Sequence, residues 1–545
     1  MAVEDGITLL DALREELHCR SVKDGCSPQG QCGCCTVWVD GGARVACVTP
    51  VRRVSGRSVT TVEGLTDELR TRWVDAFAAT GASQCGFCTP GILLRLAALE
   101  AGERPVDRPA IEGALRAHLC RCTGWQSIVE AGCLALGLTE LGPAVGAGRD
   151  PLLASWRAQI EGPMFQSSGP EVILGGGGFA DDSSPVDALV QLGAVEVLDR
   201  TAPPLPRGLR AARLGRARVQ GRNSTVPLTH PVPVAGGEWA LTLQTTWVEP
   251  AYVEPDASWS RSGLPPVSPL ANGGAFGGKR HSPVPATARA LADEVGDAVR
   301  VLWRREDVVR RGPKRPPLSL GLRGDGTGVL RLGRSPGSPG LQAVRERVAR
   351  VAPGVEVEEV DISGPPVAGD LRGAGWAEVL AALHVVGRPE TDSTPGVGRA
   401  DVTLPEGGRA TVTVTDDGGR GAVAVEVWAG EVLNAVTLRS YALGAVHQAL
   451  GLVWTEGIAV GDDGVPVDLT IRSFGILAAR DMPVVDVTIH RQDRWPVNGS
   501  DAVFVATLAA AWMAEGRPPR WPTRRTGGRA HEHATAPTIP REEQA

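Results

Sequence analysis

The residues of this chain best suited to chemistry are its eleven cysteines, all of which fall between Cys19 and Cys133 of 545 residues. A first packet reads Gly25-Cys26-Ser27-Pro28-Gln29-Gly30-Gln31-Cys32-Gly33-Cys34-Cys35, with Cys47 further on. A second reads Gln84-Cys85-Gly86-Phe87-Cys88-Thr89-Pro90-Gly91 and is completed by Cys120-Arg121-Cys122. Each packet offers at least four thiolates, the number that a [2Fe–2S] cluster takes. The expected ligands are Cys26, Cys32, Cys35 and Cys47 in the first packet, and Cys85, Cys88, Cys120 and Cys122 in the second. The plant-type ferredoxin order is Cys-x4-Cys-x2-Cys with a distant fourth Cys. Here five residues separate Cys26 from Cys32, so Cys34 stands as a rival ligand. Paired short Cys spacings also suit zinc; the plant-type order and a fourth Cys on a hairpin favour iron–sulfur. Cys19 and Cys133 lie outside both packets and are expected to be plain buried residues.

The formal charge of −6 and pI near 5.9 point away from nucleic acid and from anionic membrane surfaces. The first residues carry no basic n-region or apolar run of signal length, and no later stretch has the uninterrupted apolar length of a membrane span. A cytoplasmic location is expected, where clustered thiols read as metal ligands rather than disulfides. Lysine occurs only at Lys23, Lys279 and Lys314, which reads as the base composition of the gene rather than as chemistry.

These thiols must be positioned by short elements. Residues 7–17 carry apolar side chains at helical spacing, and residues 36–48 alternate, turn at Asp40-Gly41-Gly42 and return as a hairpin. Four helices are expected near 70–79, 92–101, 110–118 and 125–136, with the second cysteine packet at their ends. Thr89 and Pro90 suit the N-cap and first position of one of them. Cys88 and Cys120 are 31 residues apart in between, so this second site forms only once the bundle folds. The glycine run 175–178 lacks the Lys-Ser/Thr of a phosphate loop, and Asp181-Asp182 would repel phosphate; it reads as a turn entering a domain. Gly273 and Gly278-Lys279 have phosphate-loop spacing, but Arg280 stands where the Mg²⁺-binding hydroxyl belongs.

The two packets, joined by Thr61-Val62-Glu63-Gly64-Leu65 and followed by Thr123-Gly124, closely resemble the iron–sulfur part of the xanthine oxidase/aldehyde oxidase family of molybdenum hydroxylases, over about residues 6–135. The resemblance implies an α+β multidomain fold: a β-grasp [2Fe–2S] ferredoxin domain at 1–68 and a four-helix [2Fe–2S] domain at 69–140. A linker at 141–172 would lead to α/β domains resembling the molybdopterin-binding part. These are a small hammerhead-like domain at 173–265 and a shortened molybdopterin-binding-like domain at 266–523, followed by a disordered tail at 524–545 that contains His531 and His533. Almost nothing of the family's opening hairpin precedes Gly6. By the same resemblance Gln84, Cys85 and Cys122 lie against the pterin, and Phe276 and Gly277 of the Gly-rich loop lie beside the molybdenum. Residues 247–255 resemble a Glu-Pro segment near the substrate, and Arg372 echoes an active-site arginine. Asp501 stands where the family has its catalytic glutamate, one methylene too short. No counterpart of the family's glutamine loop over the metal is found.

Two readings follow. In the first, the chain hydroxylates a heterocycle or aldehyde at a molybdenum–pterin centre, with Asp501 as base and Arg372 as clamp. Electrons then pass through two [2Fe–2S] clusters to a separate flavin subunit or another acceptor, in an oligomeric assembly. In the second, the chain is an electron-transfer or assembly subunit whose molybdopterin-like region is degenerate and not catalytic.

Overall fold

A computed structural model describes residues 6–102, 105–140, 150–162, 164–194, 204–214, 226–270, 273–388 and 394–524. The opening residues, the first part of the expected linker and the tail from 525 onward lie outside the described residues. The fold is α+β and multidomain, as the resemblance implies.

In the ferredoxin-like part, Thr8 and Asp11 form a capping box that starts the helix Leu9–Asp11, continued by a wider turn over Ala12–Glu16. Strands Thr36–Val39 and Gly42–Val45 make the expected hairpin. Its two turn residues, Asp40 and Gly41, both take positive φ (48° and 77°), the backbone that matches strand twist in two-residue loops. Val59–Thr60 adds a third strand on the other side of Thr36–Val39.

Four helices follow: Asp67–Thr80, Thr89–Ala97, Arg108–Ala114 and Gln126–Ala135. The first starts before residue 69, so the expected boundary falls inside it; Thr66 caps it by accepting from Leu69 N–H. Thr89 is a helical residue rather than the N-cap. The Cys88 carbonyl accepts from Ile92 N–H and thereby closes the first turn, while the Thr89 hydroxyl bonds Ser83 Oγ at 3.2 Å. The helix Thr89–Ala97 lies against the small sheet, where Trp38 Nε1 donates to Leu94 O at 2.7 Å.

Within the expected linker at 141–172 lies the helix Pro151–Glu161. Asp150 caps it, accepting from Leu152 and Leu153 N–H at 2.8 and 2.9 Å. Arg157 and Glu161, four residues apart, are both buried and pair with each other, with Nε–Oε1 at 3.0 Å. Mutual neutralisation is what lets a polar-looking segment enter the core.

Two sheets draw strands from both sides of the boundary expected at 265. Val299–Leu302 is central between Leu189–Leu192 and Ala257–Ser260. Leu241–Gln244 edges a sheet continued by Leu318–Leu322, Gly328–Arg334 and Val355–Asp361. Pairing between such distant, short strands leaves no mark at the junction in sequence. A last sheet runs Val397–Thr403, Arg409–Thr415, Ala422–Trp428 and Val484–His490. The helices Ala435–Trp454 and Ser500–Ala514 pack on each other, and the latter covers this sheet. A Cβ on Gly398 would stand 1.9 Å from Ala510 O, so only glycine admits the helix this closely.

Internal ion pairs tie the parts together. Asp181 and Asp182 accept from Arg14, Asp181 from Arg300 and Asp182 from Lys23, so the acids after the glycine run are structural. The three lysines are all buried, and each faces a carboxylate: Lys23 with Asp182, Lys279 with Glu254 at 2.7 Å and Lys314 with Glu249 at 2.8 Å. Their scarcity therefore hides three structural roles.

Candidate functional site

The first thiol set is assembled by the glycine-rich loop 25–35 and the short helical turn Ala46–Val48 that follows the hairpin. Cys26 lies within hydrogen-bond reach of Cys32 and Cys47, and Cys47 of Cys35, so these four thiols form one continuous chain. Backbone N–H groups already point at the sulfurs, Gln29 N at 3.1 Å from Cys26 Sγ and Cys47 N at 3.4 Å from Cys35 Sγ. Cys34 joins the chain only beside Cys32, and burial pushes its thiol pKa up. A Cβ on Gly33 (φ 71°) would stand 2.4 Å from the His118 ring, so the loop is pressed against the helical part. Burial drives His118 down to about 3, and its neutral ring meets Thr36 Oγ1 at 3.1 Å.

The second set closes in two pairs, Cys85 with Cys122 and Cys88 with Cys120. The Cys85 and Cys122 sulfurs are 3.6 Å apart. Two thiolates on a tetrahedral ion with bonds of about 2.3 Å stand roughly 3.8 Å apart, so the spacing fits a shared metal. Hydrogen bonds from Cys88 and then from Thr123 hold Cys120 down at about 6, despite burial. All eight expected ligands are buried, and their chemistry and pairing fit iron–sulfur ligation. Cys133 is buried as expected, whereas Cys19 is half-exposed.

Gln84, Phe276 and Gly277 come from distant segments, yet they line one cleft of about 650 Å³, together with Gln166, Arg280 and Tyr441. Gln84 Nε2 donates to Cys122 O at 3.0 Å and to Ser440 O and Oγ at 3.1 and 3.0 Å. The Gly-rich loop threads from the thiols into this cleft. A Cβ on Gly274 would stand 3.0 Å from Cys85 Sγ, and one on Gly277 (φ 92°) would stand 2.0 Å from Asp370 O. Gly277→Ala is therefore expected to displace the loop and lower the thermal unfolding midpoint, by a cost of about 1–3 kcal/mol for forced strain; differential scanning calorimetry reads it. Gln166, whose Oε1 accepts from Tyr441 Oη at 2.6 Å, carried no signal in sequence because it lies in the expected linker. Lys279 bonds Glu254 and the carbonyls of Pro255 and Pro269, so the phosphate-loop reading fails: the lysine is turned inward.

Phe276 also borders a second cavity of about 380 Å³ lined by Arg121, Glu249, Arg315, Arg372, Glu456 and Phe504 among others. Arg372 lies over the Phe504 ring, donates from Nε to Asp501 Oδ1 at 3.1 Å and reaches Ser500 Oγ at 2.7 Å. The structure thus brings Arg372 and Asp501 together, while Asp501 lines neither cavity. Burial raises the Asp501 pKa, and Arg372 opposes that. Its helix, Ser500–Ala514, starts under Glu161, which accepts from Gly499 and Ser500 N–H, the latter at 2.7 Å. Arg121, between Cys120 and Cys122, makes a buried bidentate pair with Glu456. Sequence reasoning missed Glu161, Gln166 and Glu456.

The [2Fe–2S] binding domain family matches residues 61–133. Over 132 residues the chain is 44% identical to the nicotine 6-hydroxylase small subunit of Paenarthrobacter nicotinovorans, covering 24% of this chain and 79% of that subunit. Over 127 residues it is 42% identical to the xanthine dehydrogenase iron-sulfur-binding subunit of Escherichia coli O157:H7, covering 23% of this chain and 79% of that one. The crystal structure of the aldehyde oxidoreductase from Desulfovibrio desulfuricans aligns with a TM-score of 0.67 at 15% identity, covering 96% of this chain and 98% of that one, a likeness of fold. Among the described residues no helix is long and apolar enough to cross a membrane. With its paired thiol sets and the matched iron–sulfur segment, the chain belongs to the xanthine dehydrogenase/aldehyde oxidoreductase family of molybdenum hydroxylases.

Proposed function

We propose that this chain is a cytoplasmic oxidoreductase that binds two [2Fe–2S] clusters, one on each thiol set, and a molybdenum–pterin group in the cleft beside Gln84, Phe276 and Gly277. The observation that carries the reading is the convergence of those three residues on one cleft, where Gly274 lies against the Cys85 and Cys122 sulfurs and Gln84 donates to Cys122 O. The pterin-bound metal supplies two-electron oxidation of a small heterocycle or aldehyde. The chain supplies orientation, a base and an electron path. Gln84 holds the wall between cleft and thiols, Phe276 shapes the face shared with the second cavity, and Arg372 clamps substrate. The helical set and the ferredoxin-like set would each hold a cluster and, when loaded, would supply a one-electron path toward a flavin-bearing or other acceptor subunit.

Asp501 is the base in this reading and must be ionised to act. Because burial raises its pKa, turnover falls on the acid side at a pH above the ordinary aspartate range around 3.8. A pH–rate profile checks this, and Asp501→Asn should remove the acid limb along with nearly all turnover.

The second reading, an electron-transfer or assembly subunit, is favoured by one observation: Asp501 is tied to Arg372 and faces neither cavity. Metal analysis of protein from a pterin-competent host decides. Stoichiometric molybdenum, with clusters that bleach when substrate is added, supports the hydroxylase. About four irons per chain without molybdenum supports the second reading.

A further inference from the structure

We infer that Glu456 is a positioning residue for the helical cluster: its carboxylate holds and offsets Arg121, and so keeps that cluster's reduction potential low. The inference rests on the proposal that Cys85, Cys88, Cys120 and Cys122 hold a cluster. Arg121 stands between two of those thiols in the chain, and both members of the pair are buried. The guanidinium donates from both terminal nitrogens to the two carboxylate oxygens, Nη2 to Oε2 at 2.6 Å, and from Nε to Pro250 O at 3.2 Å. Arginine stays protonated, so its charge beside the thiols is permanent and only a partner can offset it.

Arg121 has a face on each of two cavities. It shares one, of about 330 Å³, with Cys85, Cys88 and Cys122, and it lines the second cavity together with Glu456. The other charged residues of the first, Glu254 and Lys279, pair with each other at 2.7 Å. The helix Ala435–Trp454 fixes the arrangement: Gln448 Nε2 donates to Arg121 O at 3.2 Å, and a Cβ on Gly444 would stand 1.9 Å from Cys122 O. Just past that helix, Glu456 N–H donates to Gly451 O at 2.7 Å, and a Cβ on Gly451 would stand 2.0 Å from Glu456 Oε1. The carboxylate thus fills the space of a missing side chain. Local charge is among the factors that set cluster potential. A nearby positive charge favours the more negative, reduced state, so an unmasked Arg121 shifts the potential upward. Buried charges are little screened by salt, and Glu456 cancels that pull at contact distance.

The test uses the full holo-chain with Glu456→Gln, with Gly451→Ala, and with Arg121→Gln added to Glu456→Gln. Each is assayed for iron and titrated potentiometrically with EPR detection, and the signal lost in Cys122→Ala identifies the helical cluster. The expected result is about four irons per chain, with the helical midpoint raised in Glu456→Gln and in Gly451→Ala. Removing both charges should bring it back toward wild type, and the ferredoxin-type cluster should move less throughout. Gly451→Ala keeps both charges and displaces only the carboxylate, so it decides the matter if Glu456→Gln does not load. Three outcomes overturn the inference: no shift in Glu456→Gln, the same shift once Arg121→Gln is added (which would be packing alone), or, where Glu456→Gln does not load, no shift in Gly451→Ala. Survival of every EPR signal in Cys122→Ala would instead bring down the cluster assignment beneath it.

Discussion

Cys122→Ala is expected to remove one cluster outright and to lower iron from about four to about two per chain. The Cys122 sulfur is 3.6 Å from that of Cys85, and the backbone carbonyl of Cys122 receives the Gln84 amide, so one residue serves both the thiol set and the cleft wall. A buried site that loses one thiolate leaves an iron short of protein ligands, and alanine offers no donor in its place. The remaining cluster should be unaffected, because its four thiols lie on a different loop and hairpin. Iron assay, together with loss of one of two EPR signals in the reduced protein, checks the result. Retention of about four irons would mean that this set is not the one assigned.

Glu161→Ala is expected to be the most damaging single change outside the thiols. The carboxylate neutralises Arg157, whose side chain is fully buried, and it accepts from the first N–H groups of the helix Ser500–Ala514. Its removal leaves a buried guanidinium without its acid, at about 3–5 kcal/mol, and uncaps a helix dipole as well. The same helix carries Ser500 and Asp501 to Arg372. The variant should therefore unfold at lower temperature and also lose any activity that depends on Asp501. Glu161→Gln, which keeps an acceptor but not the charge, should fall between wild type and alanine. Calorimetry and a proteolysis time course at 25 °C separate these ranks.

The iron–sulfur part was legible because its chemistry is local. Spacings of two and five residues between thiols, a turn of Asp40-Gly41 and four amphipathic stretches are each written within a short window. The error at Thr89 came from a competing hydroxyl partner, Ser83, which sequence cannot display. The later part was legible only at motifs. Phe276, Gly277 and Arg372 reached cavities, whereas the helix at Pro151–Glu161 and the sheets that span residue 265 carried no signal. Strand pairing across more than a hundred residues, as between Leu189–Leu192 and Val299–Leu302, depends on shape and burial that no single window encodes. Glu161, Gln166 and Glu456 escaped for a related reason: each looks like an ordinary surface polar residue until its partner arrives from elsewhere in the chain.

The buried lysines have a consequence for the outside of the molecule. With Lys23, Lys279 and Lys314 all locked behind carboxylates, the folded protein displays no side-chain amine to its surroundings. Its exterior cations are arginines, which stay protonated and do not undergo acylation or imine formation as an amine would. The native surface is thus inert to the modifications that commonly mark lysine. Any amine beyond the chain terminus that becomes reactive reports that one of three internal joints has opened.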